Sequence, residues 1–156
     1  MGPDVERPLG QPGVEVLDEH DCLELLRESD VGRLAVVVAE GPEIFPINFI
    51  VDHGTVVFRT AEGTKLASIA TTDAVAFEAD GYDAVEGIAW SVIVKGRATE
   101  VRNLHERFDA ADLPLFPWQL SPKPRIIRIV PNEITGRRFL VADHPAVRSV
   151  RRASPE

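Results

Sequence analysis

The residues best suited to chemistry lie in one short stretch, residues 58–66, with the sequence FRTAEGTKL. An apolar strand-like run ends at Arg59 and Thr60, and after a turn with a glycine Thr64 and Lys65 open a short predicted helix. The N–H groups and dipole of a helix start favour an anion, and Arg and Lys add positive charge. Taken alone, the stretch fits a phosphate pocket or a plain strand-to-helix connection with two solvated cations equally well.

Two other segments offer surfaces for a flat heteroaromatic ring. Pro46, Ile47 and Asn48 form an irregular part of an apolar strand, and the Asn48 amide can both donate and accept hydrogen bonds. Trp90 offers a large flat surface beside the hydroxyl of Ser91. Each segment could also serve packing alone. Combined with a phosphate site, they indicate a nucleotide-like cofactor with an aromatic ring.

Other chemistries find little support. The four histidines lack metal-ligand spacing, so we expect no metal site. No G-x-S-x-G segment marks a nucleophile, and residues 63–65 do not fit a phosphate-binding P-loop. Cys22 is the only cysteine, which excludes an intramolecular disulfide. Catalytic residues therefore stay unassigned.

Composition points to a soluble domain. The 156 residues are 44% hydrophobic and 27% charged, which suits one domain with its own core. The net charge of −8 repels phosphate backbones, so nucleic acid is not an expected partner. No apolar stretch approaches the ~20 residues of a membrane span, and the N-terminus lacks a signal pattern. We therefore expect a cytoplasmic protein with no membrane partner.

The apolar patterns predict six or seven strands and two or three short helices. Strands are expected at residues 32–39, 44–52, 55–60, 74–79, 88–101 and 125–141, the last as two runs interrupted at residues 131–133. Helices are expected after Asp18, from about Lys65, and over residues 103–113, and an acidic loop over residues 81–87. Pro46 predicts an edge, bulge or break, and Gly96 a bulge or bend.

Consecutive strands at both ends of the chain disfavour a parallel α/β fold. They indicate a mainly β fold, an antiparallel β-barrel with peripheral helices. We expect residues 14–142 to form this domain, with residues 1–13 disordered and residues 143–156 a flexible tail.

Five segments, by their order and spacing, resemble the pyridoxamine 5′-phosphate oxidase-like family. Within it they look most like the small branch that includes the nitroimidazole-resistance proteins. The segments are residues 32–35 (GRLA), 46–49 (PINF), 58–66 (FRTAEGTKL), 75–78 (VAFE) and 90–98 (WSVIVKGRA). The resemblance covers about residues 16–139.

The resemblance implies an FMN-binding split β-barrel that works as a homodimer on a small-molecule substrate, with the flavin at the subunit interface. By position, it implies that the FMN phosphate and ribityl chain are held by Arg59, Thr60, Thr64 and Lys65. It further implies that the isoalloxazine ring lies along Pro46, Ile47 and Asn48, and that Trp90 and Ser91 line the flavin site.

Departures from the family pattern narrow the expected function. Nitroimidazole-resistance proteins typically carry a histidine where Arg59 stands, and the C-terminal Arg/His motif of pyridoxamine phosphate oxidases is absent. Nitroreduction and vitamin B6 oxidation are therefore disfavoured. The leading hypothesis is an FMN-dependent oxidoreductase. The alternatives are a flavin-binding sensor or carrier without turnover, a reductase that uses the deazaflavin F420, and a purely structural protein.

Overall fold

The computed structural model describes residues 13–61, 74–102 and 125–141. Within these ranges the chain forms eight strands and one helix. In chain order they are β1 (Val14–Leu17), α1 (Glu19–Arg27), β2 (Val31–Val38), β3 (Gly41–Asn48), β4 (Ile50–Asp52), β5 (Thr55–Thr60), β6 (Val75–Asp83), β7 (Ile88–Glu100) and β8 (Arg125–Leu140). The predicted helices near residues 65 and 103, and both predicted loose termini, fall outside the described ranges apart from Gly13 at the edge of the first.

Helix α1 begins where the sequence predicts. The Asp18 carboxylate accepts a hydrogen bond from the Asp21 backbone N–H at 2.8 Å, which satisfies one of the N–H groups left open at a helix start. Its inward side buries Cys22 and Leu26 completely. The short strand β1 just before α1 was not predicted. Its four residues, VEVL, are too few for a clear pattern, and only the last of them, Leu17, is buried.

All strand pairs are antiparallel, and the sheet curls on itself. The hydrogen-bonded order is β3-β2-β6-β7-β8-β5-β4, with β1 added beside β8. Strands β3 and β4 therefore lie at opposite ends of the order, yet only Phe49 separates them in the chain. A sheet whose two ends are joined by one residue must bend round until those ends meet. This confirms the predicted antiparallel barrel of the split-barrel type.

Phe49 stabilises the junction between the two ends of the sheet. Its side chain is buried and meets the ring of Phe77 edge-on, with the ring centroids 4.7 Å apart. Its backbone N–H donates to the Asp30 carbonyl at 3.2 Å. The single strand predicted over residues 44–52 is therefore wrong. It is two strands that break at Phe49, because the first half pairs with β2 and the second with β5.

Pro46 does not break its strand. It lies within β3, opposite Arg33, and β3 ends the hydrogen-bonded order. An edge strand tolerates proline because one of its sides needs no ladder donors. The acidic loop is also shorter than predicted, since β6 continues to Asp83.

Strand β8 is continuous through Pro131, so the two interrupted runs predicted there are wrong. Opposite it, Lys95 pairs with Glu133 and Gly96 with Pro131, which leaves Asn132 as one extra residue. This bulge confirms the irregularity predicted from Gly96. A Cβ at Gly96 would lie 2.1 Å from the Val130 carbonyl oxygen, so only glycine permits this close approach.

The core has two parts, on the two faces of the sheet. The larger cluster fills the inside of the barrel with side chains from α1 and most strands, including Leu34, Phe58, Phe77 and Ile127. A smaller cluster of Val57, Val101 and Ile126, with Ile50 against it, lies on the other face at one end of β5. The end of β5 is thus packed from both sides, which fixes the position of Arg59 and Thr60.

Candidate functional site

Two of the segments singled out in the sequence meet where the barrel closes. Strand β4 pairs with β5 as far as Ile50 opposite Val57. The ladder ends there, and β3, which ends at Asn48, lies close to β5, which ends at Thr60. We call this junction, formed by Pro46, Ile47, Asn48, Arg59 and Thr60, the seam.

The donors at the seam suit an anion. The Thr60 side chain is only 3% exposed, although it is polar and ends an apolar strand. Arg59 is half-buried, and its Nε atom is fully enclosed by protein. Both groups are donors to which phosphate oxygens are natural acceptors, so the residues present fit a phosphate group.

The remaining seam residues shape its other side. Ile47 is buried against the barrel core and Pro46 is exposed. The Asn48 Nδ2 atom donates to the Asp30 carbonyl at 3.3 Å, and the same carbonyl accepts the Phe49 N–H. Asn48 therefore ties the seam to the loop after α1. Its expected place along a flavin ring stays a prediction.

Sequence reasoning missed an ion-pair cluster next to Thr60. Arg125 lies directly opposite Thr60 in the ladder between β5 and β8. Its Nε donates to Glu100 Oε1 at 2.9 Å and its Nη2 to Oε2 at 2.6 Å, while Arg102 Nε donates to Oε2 at 3.0 Å. Hydrogen bonds from Arg125, and secondarily from Arg102, outweigh burial and lower the pKa of Glu100 to about 2. Only the strand register links Arg125 to Thr60, and no sequence motif carries that information.

Trp90 and Ser91 do not share this region of the chain. They lie near the start of β7, opposite Arg138 and Arg137 of β8, whereas Thr60 lies opposite Arg125 at the other end of β8. At about 3.3 Å per residue, Thr60 and Ser91 are about 40 Å apart along β8. The other half of the seam is closer, because Pro46 pairs with Arg33, Arg33 with Glu78 and Glu78 with Ile93 of β7. The structure thus brings residues 46–48 near residues 59–60, and it leaves Trp90 and Ser91 far from Thr60 but only about three strands from β3. Thr64 and Lys65 lie outside the described ranges.

Trp90 forms the wall of a separate open groove of about 740 Å³. The indole lies across Gly81, where a Cβ would be 2.4 Å from its Nε1, and it also packs against the barrel core. Carboxylates of Glu28, Asp80 and Asp83 line this groove together with Arg138. On the neighbouring outer face, burial and then the nearby Asp80 charge raise the pKa of Glu78.

The described part of the chain contains neither a metal-binding cluster nor a membrane-spanning helix. No three His, Cys, Asp or Glu side chains there are grouped to hold a metal ion. No helix there is long and apolar enough to cross a membrane. Cys22 is completely buried, and burial followed by the charge of Asp18 raises the pKa of its thiol, so packing is its evident role.

Comparison with known proteins gives a family match. Residues 18–138 match the model of the pyridoxamine 5′-phosphate oxidase family. The Mycobacterium tuberculosis protein Rv0080 is 35% identical over 150 residues, which is 92% of this chain and 97% of that protein.

Solved structures agree with this match. A Corynebacterium glutamicum protein named after pyridoxamine 5′-phosphate oxidase is 45% identical, with a TM-score of 0.76 over 85% of this chain and 97% of that one. The FAD binding protein from Mycobacterium smegmatis is 44% identical, with a TM-score of 0.70 over 80% and 97%. A Bacteroides thetaiotaomicron protein named for 5-nitroimidazole antibiotic resistance, 14% identical with a TM-score of 0.65 over 81% and 89%, shares the fold.

Proposed function

We propose, since the chain belongs to the pyridoxamine 5′-phosphate oxidase family, that it is an FMN-binding oxidoreductase acting on a small molecule. The observation that carries the proposal is the seam, where the end of β5, with the buried Thr60 and the half-buried Arg59, lies close to β3, with the buried apolar Ile47. Anion donors next to an apolar surface match a cofactor with a phosphate at one end and a flat ring at the other. The FAD binding protein from Mycobacterium smegmatis, a close relative, supports a flavin in general terms.

In this proposal each segment of the chain has one task. Arg59 and Thr60, with Thr64 and Lys65 beyond the described ranges, bind the phosphate end, and residues 46–48 lie along the ring. The bound flavin supplies hydride or electron transfer, while the protein orients it and excludes water. Cytoplasmic location and the absence of a nucleic-acid partner stay predictions from the sequence.

We further propose that the protein is a homodimer with the flavin between subunits. Trp90 and Ser91 lie at the other end of β8 from Thr60 in their own chain, and in this proposal a second copy supplies them beside the phosphate end of the site. The outer face of the β2–β3 hairpin also supports association, because Val37 and Ile44 are 72% and 69% exposed there. Exposed apolar patches on a soluble protein are typical of interfaces.

The absorption spectrum of the purified protein tests flavin binding. We expect flavin absorption as isolated or after FMN is added, and chromatography of the released cofactor distinguishes FMN from FAD. A colourless protein that gains no flavin signal from FMN or FAD would refute the proposal. Competitive titration of FMN against F420 tests the deazaflavin alternative, which predicts that F420 displaces FMN.

A second candidate function is a flavin-binding sensor or carrier without turnover. It is favoured by the composition of the seam, whose five residues include no carboxylate, histidine or other evident acid or base. Anaerobic addition of NADH or NADPH, followed by a small electron acceptor, separates the candidates. Reduction and reoxidation over repeated cycles support the oxidoreductase, and a flavin that stays oxidised supports the sensor or carrier.

A further inference from the structure

The end of the barrel next to the seam carries three polar residues on one face of three adjacent strands. Thr60 of β5 and Arg125 of β8 are directly opposite each other. Glu100 of β7 pairs with Ile127, two residues along β8 from Arg125. Because alternate residues of a strand share a face, all three side chains lie on the inner face that Phe58 and Ile127 fill further in. The apolar core therefore ends in a polar row beside Thr60.

Arg125 is held in a fixed orientation within this row. Two parallel hydrogen bonds of 2.9 and 2.6 Å join its guanidinium to the two oxygens of Glu100. The two side chains are only 22% and 16% exposed, so the ion pair is mostly shielded from solvent. A guanidinium fixed in this way loses less conformational freedom on binding an anion than a mobile one.

Local charge also favours an anion at this end of the barrel. Among the described residues, Glu100 is shared between Arg125 and Arg102, so these three side chains together carry a net charge of +1. With Arg59 on the other face of the same strand end, positive charge predominates here in a chain whose net charge is −8. The groove beside Trp90 has the opposite character, since three carboxylates line it.

We propose that Arg125 is a further binding residue for the cofactor phosphate at the seam, and that Glu100 is a positioning residue that orients the guanidinium. This inference rests on the proposed flavin-binding function and extends its phosphate end from β5 to β8. A second arginine–carboxylate pair on β8, between Arg128 and Asp52, is not part of this proposed site. Arg128, three residues along β8, shares the face of Arg59 but lies opposite Val57. It binds Asp52 at 3.0 Å and the Thr55 hydroxyl at 2.6 Å, away from the end of β5 at Thr60, and the Arg128 and Asp52 side chains are 20% and 19% exposed.

The test compares two ligands that differ only in the phosphate, FMN and riboflavin. Each is titrated into flavin-free protein by fluorescence quenching, and the ratio of the riboflavin Kd to the FMN Kd measures the contribution of the phosphate. Arg125→Gln should lower this ratio about tenfold or more, as expected for a lost charge-assisted hydrogen bond. Its riboflavin Kd should stay near the wild-type value, which also shows that the variant is folded.

Two variants support the interpretation of Arg125→Gln. Arg125→Lys keeps the positive charge but loses the planar set of guanidinium N–H donors. Its ratio should therefore lie between that of Arg125→Gln and that of the wild type. Arg128→Gln removes the matched arginine on the other face and should leave the ratio within about twofold of wild type. If Arg125→Gln fails to fold, a wild-type ratio in Arg125→Lys overturns the inference and a ratio lowered severalfold supports it.

Glu100 requires a separate comparison, because it acts through Arg125. A glutamine offers one acceptor oxygen in place of two, so Glu100→Gln should lower the ratio about threefold. In the Arg125→Gln background the same change should have no further effect on the ratio. An unchanged or higher ratio in Glu100→Gln, or an additive loss in the double variant, would overturn the positioning role.

The outcomes separate this inference from the function on which it rests. Wild-type protein that binds neither flavin overturns both. Wild-type protein that prefers FMN while Arg125→Gln keeps the full preference overturns only the role of Arg125.

Discussion

The Glu100 carboxylate should make the stability of the protein depend on pH in a defined way. Hydrogen bonds, first from Arg125 and then from Arg102, lower the pKa of Glu100 from 4.5 to about 2. A shift of this size corresponds to about 3 kcal/mol of folding free energy. Arg102 is 74% exposed, so solvent weakens its part of the interaction, and we expect about 2 kcal/mol.

The direction of the pH effect follows from proton binding. The pKa of Glu100 is lower in the folded state, so the unfolded chain binds more protons at mildly acidic pH. The stabilisation is therefore complete above about pH 5 and is lost as the pH falls towards 2. Glu100→Gln should remove this contribution and leave a variant that is about 2 kcal/mol less stable at pH 7 and equally stable near pH 2.

Urea unfolding of flavin-free protein measures the difference in stability between Glu100→Gln and wild type across the pH range. The protein concentration is the same in every experiment. Glu40→Gln is the matched control, since Glu40 is exposed at the β2–β3 turn and its loss changes the net charge equally. This control should stay within about 0.5 kcal/mol of wild type. A difference between Glu100→Gln and wild type that stays constant with pH, or is absent at pH 7, would refute the reasoning.

Three further substitutions test the fold and the site. Gly32→Ala would place a Cβ 2.3 Å from Cζ of the buried Phe77 and 2.7 Å from the Glu78 carbonyl oxygen; we expect a loss of about 2–3 kcal/mol in urea unfolding, and wild-type stability would contradict the packing. Asp18→Ala removes the helix cap and should cost about 1 kcal/mol, whereas Asp18→Asn should cost much less; equal losses would argue against capping. Lys65→Ala should weaken FMN binding on the order of 1.5–3 kcal/mol by titration, and unchanged affinity would mean that the phosphate lies elsewhere.

The elements that the sequence predicted well are those whose local pattern is strong. Strand β7 alternates buried and exposed residues from Val92 to Thr99, with small or apolar residues at every buried position, and α1 carries a cap followed by an apolar stripe. Both patterns are local and need no knowledge of partners. The break at Phe49 is different, because residues 44–51 are apolar apart from Asn48 and only the change of partner strand divides them.

The candidate site shows the same division between local and long-range information. Arg59 and Thr60 could be found because they follow an apolar run and precede a glycine turn. Arg125 could not, because its place beside Thr60 depends on how β5 and β8 align. Trp90 and Ser91 are chemically distinctive in the sequence, but sequence order could not show that they lie at the far end of β8 from Thr60.

The central claim is that the seam of one chain and Trp90 of another bind the same flavin. Mixed dimers test it most directly, with each chain type carrying a different affinity tag and the flavin counted per purified heterodimer. An Arg59→Ala chain paired with a Trp90→Ala chain keeps one intact site if the site is shared, so we predict one flavin per dimer. A chain with both substitutions paired with a wild-type chain should bind none. The reverse pattern, none in the first dimer and one in the second, would show that each flavin site lies within a single chain.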